Sequence, residues 1–313
     1  MIDEMAERVV AQIAETGSFR RAAEALGVTQ PYVSQVLKRL EEDYGALFVD
    51  RKSHPRRLTP AGEFFLESQR RMARIERKTR EFCADWSGSR AGSLRLACNG
   101  ERINGMLIPV IAAFRKSSPA VALDLSLEMD LADIPSALLK GEADVGVLYE
   151  SLLAPGLDAV RLCRERFLLA VADVPEHRSF GAPFNPEGRY PRLSETGVSS
   201  LKDLPMLPTM GHEERTEVIA RAMGFELPVM NWTARPLGTR LALAAEGLCM
   251  AVCQENLVGA WGPSRRCRFA SLEDVLPVQT VVAAFSAEEY RSDAAKEFCR
   301  IAASVLRQGR SGA

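Results

Sequence analysis

The sequence predicts an α/β protein with an N-terminal helical part, one long helix and a larger region where strands alternate with helices. Three observations carry that prediction. Apolar residues recur at helical spacing up to Gly45 and again beyond Pro60. The stretch "SGSRAGS", Ser87–Ser93, has the composition of a flexible linker. After it, short apolar runs alternate with helical patterns, which argues for an α/β domain with a largely parallel sheet.

The first helix, about Asp3 to Thr16, sets Met5, Val9, Val10 and Ile13 on one side. Gly17 breaks it and Ser18 suits the N-cap of a short second helix, "FRRAAEALG", which Gly27 ends. Thr29 caps a third helix, "QPYVSQVLKRLEEDYG", with Pro31 in its first turn, where a missing N–H removes little. Two helices joined by "GVT" form a helix-turn-helix, and "ALFVDRKSHPRRLTPAG" reads as strand, basic turn and strand, a wing. From Pro60 a longer helix repeats Phe65, Met72, Thr79 and Trp86 every seven residues, with Ser68, Ile75 and Phe82 between. That seam suits pairing with a second helix; burial in a single-chain core is the alternative.

Beyond the linker, "SLRLAC", "VALDLSLE" and "ADVGVLY" are expected strands, and "INGMLIPVIAAFRKSSP" and "LADIPSALLKG" helices. A Pro/Gly/Ser-rich loop follows from His177 to Ser200. The pattern then resumes through "ELPVMNWTA", a helix near Leu241–Glu246, "LCMAVC", the strand "VQTVVAAF" and a last helix "SDAAKEFCRIAASVLRQG".

Composition narrows the function classes. The chain has 313 residues, 47% hydrophobic and 26% charged, with a formal net charge of -1. That is ordinary globular composition, long enough for two or more domains. The basic charge is nonetheless concentrated. Residues 51–80 hold ten Lys/Arg (Arg51, Lys52, Arg56, Arg57, Arg70, Arg71, Arg74, Arg77, Lys78, Arg80) against Glu63, Glu67 and Glu76, a patch able to meet a polyanion. The first residues carry acids where a secretory signal needs cations, and no run approaches the ~18 apolar residues of a membrane span. A soluble cytoplasmic protein with no membrane partner is expected. Seven scattered cysteines without zinc-type pairs read as reduced thiols. His54, His177 and His212 stand apart, and no Gly-rich phosphate loop or G-x-S-x-G elbow occurs. No metal, cofactor, catalytic residue or enzymatic activity is therefore expected.

The third helix poses the functional question. Val33, Val36, Leu37 and Leu40 form its apolar stripe, while Pro31, Tyr32, Ser34, Gln35 and Lys38 lie elsewhere on its surface. A recognition helix needs that division. Gln pairs with adenine, Ser with several bases and Lys with guanine or phosphate, while Tyr32 can meet a thymine methyl or a phosphate. Arg51, Lys52, Arg56 and Arg57 in the wing suit the DNA backbone or minor groove. A solvated amphipathic helix is the alternative, and the preceding helix, the short turn and the basic wing weigh against it.

The run "GSFRRAAEALGVTQPYVSQVLKRLEEDYGALFVDRKSHPRRLTPAG", Gly17–Gly62, resembles the LysR-type transcriptional regulators. Ser-Phe, Ala-Ala, Leu, Gln-Pro, Ser, Leu-Glu, Gly, Leu-Phe, Arg and Leu-Thr-x-Ala-Gly occur in that family's order. "GSLRLA", "LIPVIAAF", "LLKGEADVGVL", "SLKDLP", "AAEGLCMAVC" and "SDAAKEFCR" extend the likeness more weakly over nearly the whole chain. The resemblance implies a winged helix-turn-helix (1–59), a dimerising linker helix and hinge (60–92) and a two-lobed, periplasmic-binding-protein-like effector domain (93–313). Its first lobe would comprise 93–164 and 273–313, and its second 165–272, with crossings near Cys163–Phe167 and Arg268–Pro277. It implies a homo-oligomer, dimer or tetramer, on interrupted inverted repeats of double-stranded DNA, commonly upstream of a divergently transcribed gene. A small-molecule effector would sit between the lobes.

By that likeness Gln30, Pro31, Tyr32, Ser34, Gln35 and Lys38 lie at the groove, with Arg51, and beside it Arg56 and Arg57, in the wing. The effector would meet Cys98, Asn99, Gly100, Glu101, Arg102, Asp130, Met210, His212 and Arg235. Arg102 and Arg235 would suit an anionic effector, such as a small carboxylate, or else form surface ion pairs. The chain departs from the family pattern where Val49 and Asp50 separate Leu-Phe from Arg51. It departs again at "CNGERIN", at Cys253 in place of a common Pro, and in the long Pro/Gly segment before "VSSLKDLP". Two alternatives remain at this level: a small-molecule binding module whose helices only mediate assembly, and a redox sensor using Cys249 and Cys253.

Overall fold

The computed structural model describes residues 4–88, 91–128, 130–185, 189–208 and 214–311, and the chain divides after Cys83 into two compact units. In the first, α1 (Glu4–Thr16), α2 (Phe19–Leu26) and α3 (Gln30–Tyr44) close over fully buried Val9, Val10, Ile13, Val33 and Leu37. Local chemistry sets the helix ends. Ser18 Oγ accepts from Arg21 N–H, and Thr29 Oγ1 from Tyr32 N–H. Gly27 and Gly45 close α2 and α3 in the left-handed conformation, φ 67 and 64.

The wing is the hairpin of β1 (Val49–Asp50) and β2 (Arg57–Leu58), with Val49 opposite Leu58. Its base is held from α3 by Glu41, whose carboxylate accepts from Phe48 N–H at 2.9 Å and from Arg51 Nη2 at 2.7 Å. Phe48 also stacks on Phe65 of α4 (Pro60–Trp86), ring centroids 4.8 Å apart. Close approach there needs Gly62, since a Cβ would lie 2.2 Å from the Phe48 carbonyl oxygen.

The second unit contains two five-stranded sheets. β3 (Gly92–Cys98) opens the first sheet and is followed by α5 (Gly100–Arg102), a π-helical turn at Ile103–Leu107 and α6 (Ile108–Ser117). One helix was expected over this stretch. Pro109 follows the π-turn, where the wider i→i+5 bond from Ile108 N–H to the Ile103 carbonyl accommodates the ring's missing donor. β4 (Val121–Glu128), α7 (Ile134–Leu139), β5 (Val145–Tyr149) and β6 (Leu157–Glu165) follow. The chain then enters the second sheet through β7 (Phe167–Ala172), β8 (Ala182–Pro183) and β9 (Met206–Leu207). α8 (Glu214–Met223), α9 (Leu237–Ala245), β10 (Met250–Gln254), α10 (Glu255–Val258) and β11 (Cys267–Ser271) complete it. β12 (Gln279–Ser286) returns to the first sheet, and α11 (Asp293–Ser311) packs beneath it.

The sheets are mixed rather than largely parallel. The first has the order β4-β3-β5-β12-β6, with β3 parallel to β4 and β5 but β12 antiparallel to β5 and β6. The second has the order β8-β11-β7-β10-β9, parallel only between β10 and β9. The antiparallel pairs arise because β6 and β12 sit where the chain leaves and re-enters the first sheet, free of the right-handed crossover that parallel neighbours need. "ELPVMNWTA" forms no strand beyond a single bridge between Val229 and Met206, and Val229 is exposed.

Both faces of β7 are buried. Leu168 and Ala170 join the core shared by the two sheets, while Phe167, Leu169 and Val171 face the core under α8. That explains the unbroken apolar run "FLLAVA". Gly105 of the π-turn lies against α10, where a Cβ would come 2.5 Å from Leu257.

Replacing Glu41 by Ala would strand two buried N–H groups and Arg51. We expect it to destabilise the first unit by about 2–4 kcal/mol. Hydrogen exchange of residues 4–83 in the full-length chain checks this, and unchanged protection would contradict it.

Candidate functional site

Among the described residues, two places bring polar side chains together on an exposed face or cavity wall, one in each unit. In the first, Gln30, Pro31, Tyr32, Ser34, Gln35 and Lys38 are all exposed on α3, opposite the buried Val33, Leu37 and Leu40. Neither Ser34 nor Gln35 has a side-chain partner among the described residues, so their hydrogen-bonding capacity is open to a ligand. Lys38 Nζ is 3.6 Å from Glu42, an exposed contact worth little. Arg57 is exposed at the wing, whereas Arg56 is partly buried and donates to the Ser53 carbonyl at 3.1 Å. Arg51 is the exception among the expected wing cations, because its guanidinium is bonded to buried Glu41. It braces the wing from inside while remaining half exposed.

The second place is a cavity of about 1200 Å³ in the second unit. One wall comes from segments that follow β3, β4 and β5, including Asn99, Gly100, Glu101, Asp130 and Tyr149. The other comes from Phe167 on β7, Arg215 on α8, and Arg235 and Arg240 at α9. Loops beyond the carboxyl ends of strands are a usual place for ligands in α/β folds. Of the residues expected at an effector, Asn99, Gly100, Glu101, Asp130 and Arg235 line this cavity. Arg235 Nη1 lies 3.2 Å from Asp130 Oδ2 on the opposite wall. Met210 and His212 lie outside the described residues.

Two expected effector residues do not reach the cavity. Cys98 is fully buried in the shared core. Arg102 is 1% exposed and already neutralised, its Nη1 and Nη2 donating to Glu165 Oε1 and Oε2 at 3.3 and 3.0 Å. The guanidinium lies 4.6 Å from the centre of the Tyr149 ring, and Tyr149 Oη donates to Glu165 Oε2 at 2.6 Å. Asn256 Nδ2 donates to the other carboxylate oxygen at 3.3 Å. Burial opposes the Arg102 charge most strongly, but Glu165, Tyr149 and Cys163 together leave its pKa raised; burial and then Glu165 push the Tyr149 phenol well above its usual range. The group is a charge-balanced polar joint in which Arg102 Nε alone lacks a partner among the described residues, and neither Arg102 nor Glu165 lines the cavity.

Arg215, Arg240, Tyr149 and Phe167 line the cavity without having been singled out. Arg240 carried a signal, a lone cation within the apolar helix "LGTRLALAA". It is buried, donates to the Val252 carbonyl at 3.0 Å and stands 3.8 Å from Glu101.

All seven cysteines are free thiols. Burial raises Cys249 and Cys299 to about 11 and Cys267 to about 12, and Cys253 further. A buried thiol held protonated is a poor nucleophile, which removes the physical basis for redox sensing through Cys249 and Cys253. No described helix is long and apolar enough to cross a membrane.

Comparison with known proteins agrees with this geometry. Residues 7–63 match the profile of bacterial regulatory helix-turn-helix proteins of the lysR family, and residues 87–307 that of the LysR substrate binding domain. The HTH-type transcriptional regulator TcbR of Pseudomonas sp. (strain P51) is 30% identical over 193 residues, 62% of this chain and 63% of that protein. AlsR of Bacillus subtilis (strain 168) is 32% identical over 140 residues, 45% of this chain and 46% of that protein. The chain thus spans roughly half to two thirds of the length of these relatives. Among solved structures, CbnR, a LysR family transcriptional regulator, superposes with a TM-score of 0.64 at 22% identity, covering 98% of this chain and 99% of that one. Full-length CbnR in complex with its target DNA gives 0.63 at 21% identity, with the same coverage.

Two outcomes are expected. Glu165→Gln leaves the Arg102 charge uncompensated and costs about 3–5 kcal/mol in urea unfolding, most of it recovered when Arg102→Met is added. In native protein at pH 8, a water-soluble disulfide reagent labels the exposed Cys83 quickly and leaves Cys98, Cys249, Cys253, Cys267 and Cys299 unmodified. Fast labelling of Cys249 or Cys253, read by peptide mass, would restore the redox reading.

Proposed function

Because the chain belongs to the LysR family, whose profiles match 7–63 and 87–307, we propose that it is a sequence-specific DNA-binding transcriptional regulator. Its activity answers to a small molecule bound between the two lobes of its second unit. The observation that carries the DNA half is the division of α3 into a buried apolar side and an exposed side on which Ser34 and Gln35 have no side-chain partner among the described residues. Such a helix enters the major groove with its back held by α1 and α2, while Lys52 and Arg57 meet the phosphate backbone. Gln30, Tyr32, Gln35 and Lys38 then read or flank base edges, and Arg51 acts through the wing's position.

On this reading residues 1–59 bind DNA, 60–92 pair the subunits and 93–313 bind the effector. The single chain leaves Met72, Ile75 and Phe82 of α4 exposed, which supports pairing of that helix with a second copy. Two recognition helices then meet two half-sites, as an interrupted inverted repeat requires. A dimer of such dimers in the cytoplasm completes the proposal. Ligand acts only in so far as it binds one arrangement of the assembly better than the other.

No enzymatic step is part of this proposal. Selection of fragments from a randomised DNA pool tests the reading, and it should enrich an interrupted inverted repeat. Gln35→Ala and Ser34→Ala should each lose about 1–3 kcal/mol of discrimination at one position of that repeat. Arg57→Ala should instead weaken binding to all sequences and lower the salt slope by about one. If no sequence is enriched at moderate salt, the helices serve only assembly.

A further inference from the structure

The arginines of the cavity differ in what balances their charge. Arg235 is paired with Asp130, and Arg240 has the Glu101 carboxylate 3.8 Å away. Arg215, in the first turn of α8, has no carboxylate within ion-pair distance among the described residues; its guanidinium carbon stands 4.5 Å from the centre of the Phe167 ring. Burial lowers the Arg215 pKa and Arg240 adds to that effect, against Tyr149 and Glu214. A partly desolvated cation facing a cavity is stabilised by an anion that donates its oxygens to the guanidinium edge. Arg240 adds an unmet donor, since its buried Nε has no partner among the described residues.

Glu101 limits what else the cavity accepts. Its carboxylate reaches from the first lobe to accept the Leu237 N–H at the start of α9, and it also faces Arg240. The chain's own carboxylate thus fills the position that a second ligand anion would take at that helix end. Between these points the walls are apolar, with Leu131, Leu152, Val218 and Leu276.

We propose that the cavity selects a ligand with a single anionic group, held by Arg215, and an apolar body against Leu152, Val218 and Leu276, and that Glu101 excludes a second anion. This rests on reading the cavity as the effector site and names the chemical class that the site takes. Arg102 is not the anion's partner, because Glu165 already balances its charge and it does not line the cavity.

The test uses full-length protein and three probes of similar shape: phenylacetate, its neutral isostere phenylacetamide and the dianion 1,4-phenylenediacetate. Binding is followed by calorimetry and by thermal shift. Wild type should bind phenylacetate at least about tenfold more tightly than either of the others. Arg215→Gln should lose that preference, Arg215→Lys should keep part of it, and Glu101→Gln should gain affinity for the dianion. Because Arg215 makes no ion pair among the described residues, Arg215→Gln should melt within a few degrees of wild type. Phenylacetate that fails to bind, binds no better than its amide, or binds Arg215→Gln equally overturns the anion site. A dianion that binds wild type as tightly as phenylacetate, or gains nothing from Glu101→Gln, overturns the exclusion. DNA affinity is measured separately on the selected repeat. Phenylacetate preference without any effect on DNA supports the site and counts against the regulatory reading instead.

Discussion

The ion pair of Arg102 with Glu165 is the joint on which the second unit depends. Glu165 is the last residue of β6, one position before the chain enters the second sheet, and Arg102 lies at the end of the short helix after β3. Two buried charges cost several kcal/mol each to desolvate, and only full pairing offsets that. Here the carboxylate takes the guanidinium edge-on and adds donors from Tyr149 and Asn256. Four segments are thereby held to one point: the end of α5, the ends of β5 and β6 and the start of α10. Of the segments that build the first wall of the cavity, those after β3 and β5 start at this joint.

That joint also bears on the geometry of the cavity. With Arg102 drawn inward, its neighbour Glu101 is turned towards the cavity and reaches α9 of the other lobe. The shared core beneath, where Gly105 lies against Leu257, keeps the two sheets in contact across the same boundary. A ligand in the cavity therefore meets groups from both sheets at once. Its binding energy is available to change how the lobes are held, provided the arrangements differ in those contacts.

In the first unit a single buried carboxylate has a comparable position. Glu41 joins α3 to the wing by accepting from the backbone at Phe48 and from Arg51. The exposed face of α3 and the basic hairpin are consequently joined in one piece, as simultaneous base and phosphate contact would require. Arg51 spends its best hydrogen bond on that connection. The extra residue in the wing shows the same economy of space: Val49 is buried while Asp50 turns outward and accepts the Lys52 N–H at 2.8 Å.

Local patterns in the sequence determined the helix-turn-helix, the wing, the long α4 and most strands of the first sheet, because caps, left-handed glycines and apolar spacing act over a few residues. The same is true of the exposed side of α3, since a helix's period assigns its faces without knowledge of the rest. Tertiary structure alone decided the sheet order and the identity of the cavity's cations. β6, β7 and β11 pair across distances that no local period records, and "FLLAVA" differs from a buried helix segment only by what covers it. Whether an arginine is a ligand's partner or a core's depends on the nearest carboxylate in space. Arg102 has Glu165, 63 residues further along the chain, while Arg215 has an aromatic ring and open volume, and the chain order of these residues carries no trace of that difference.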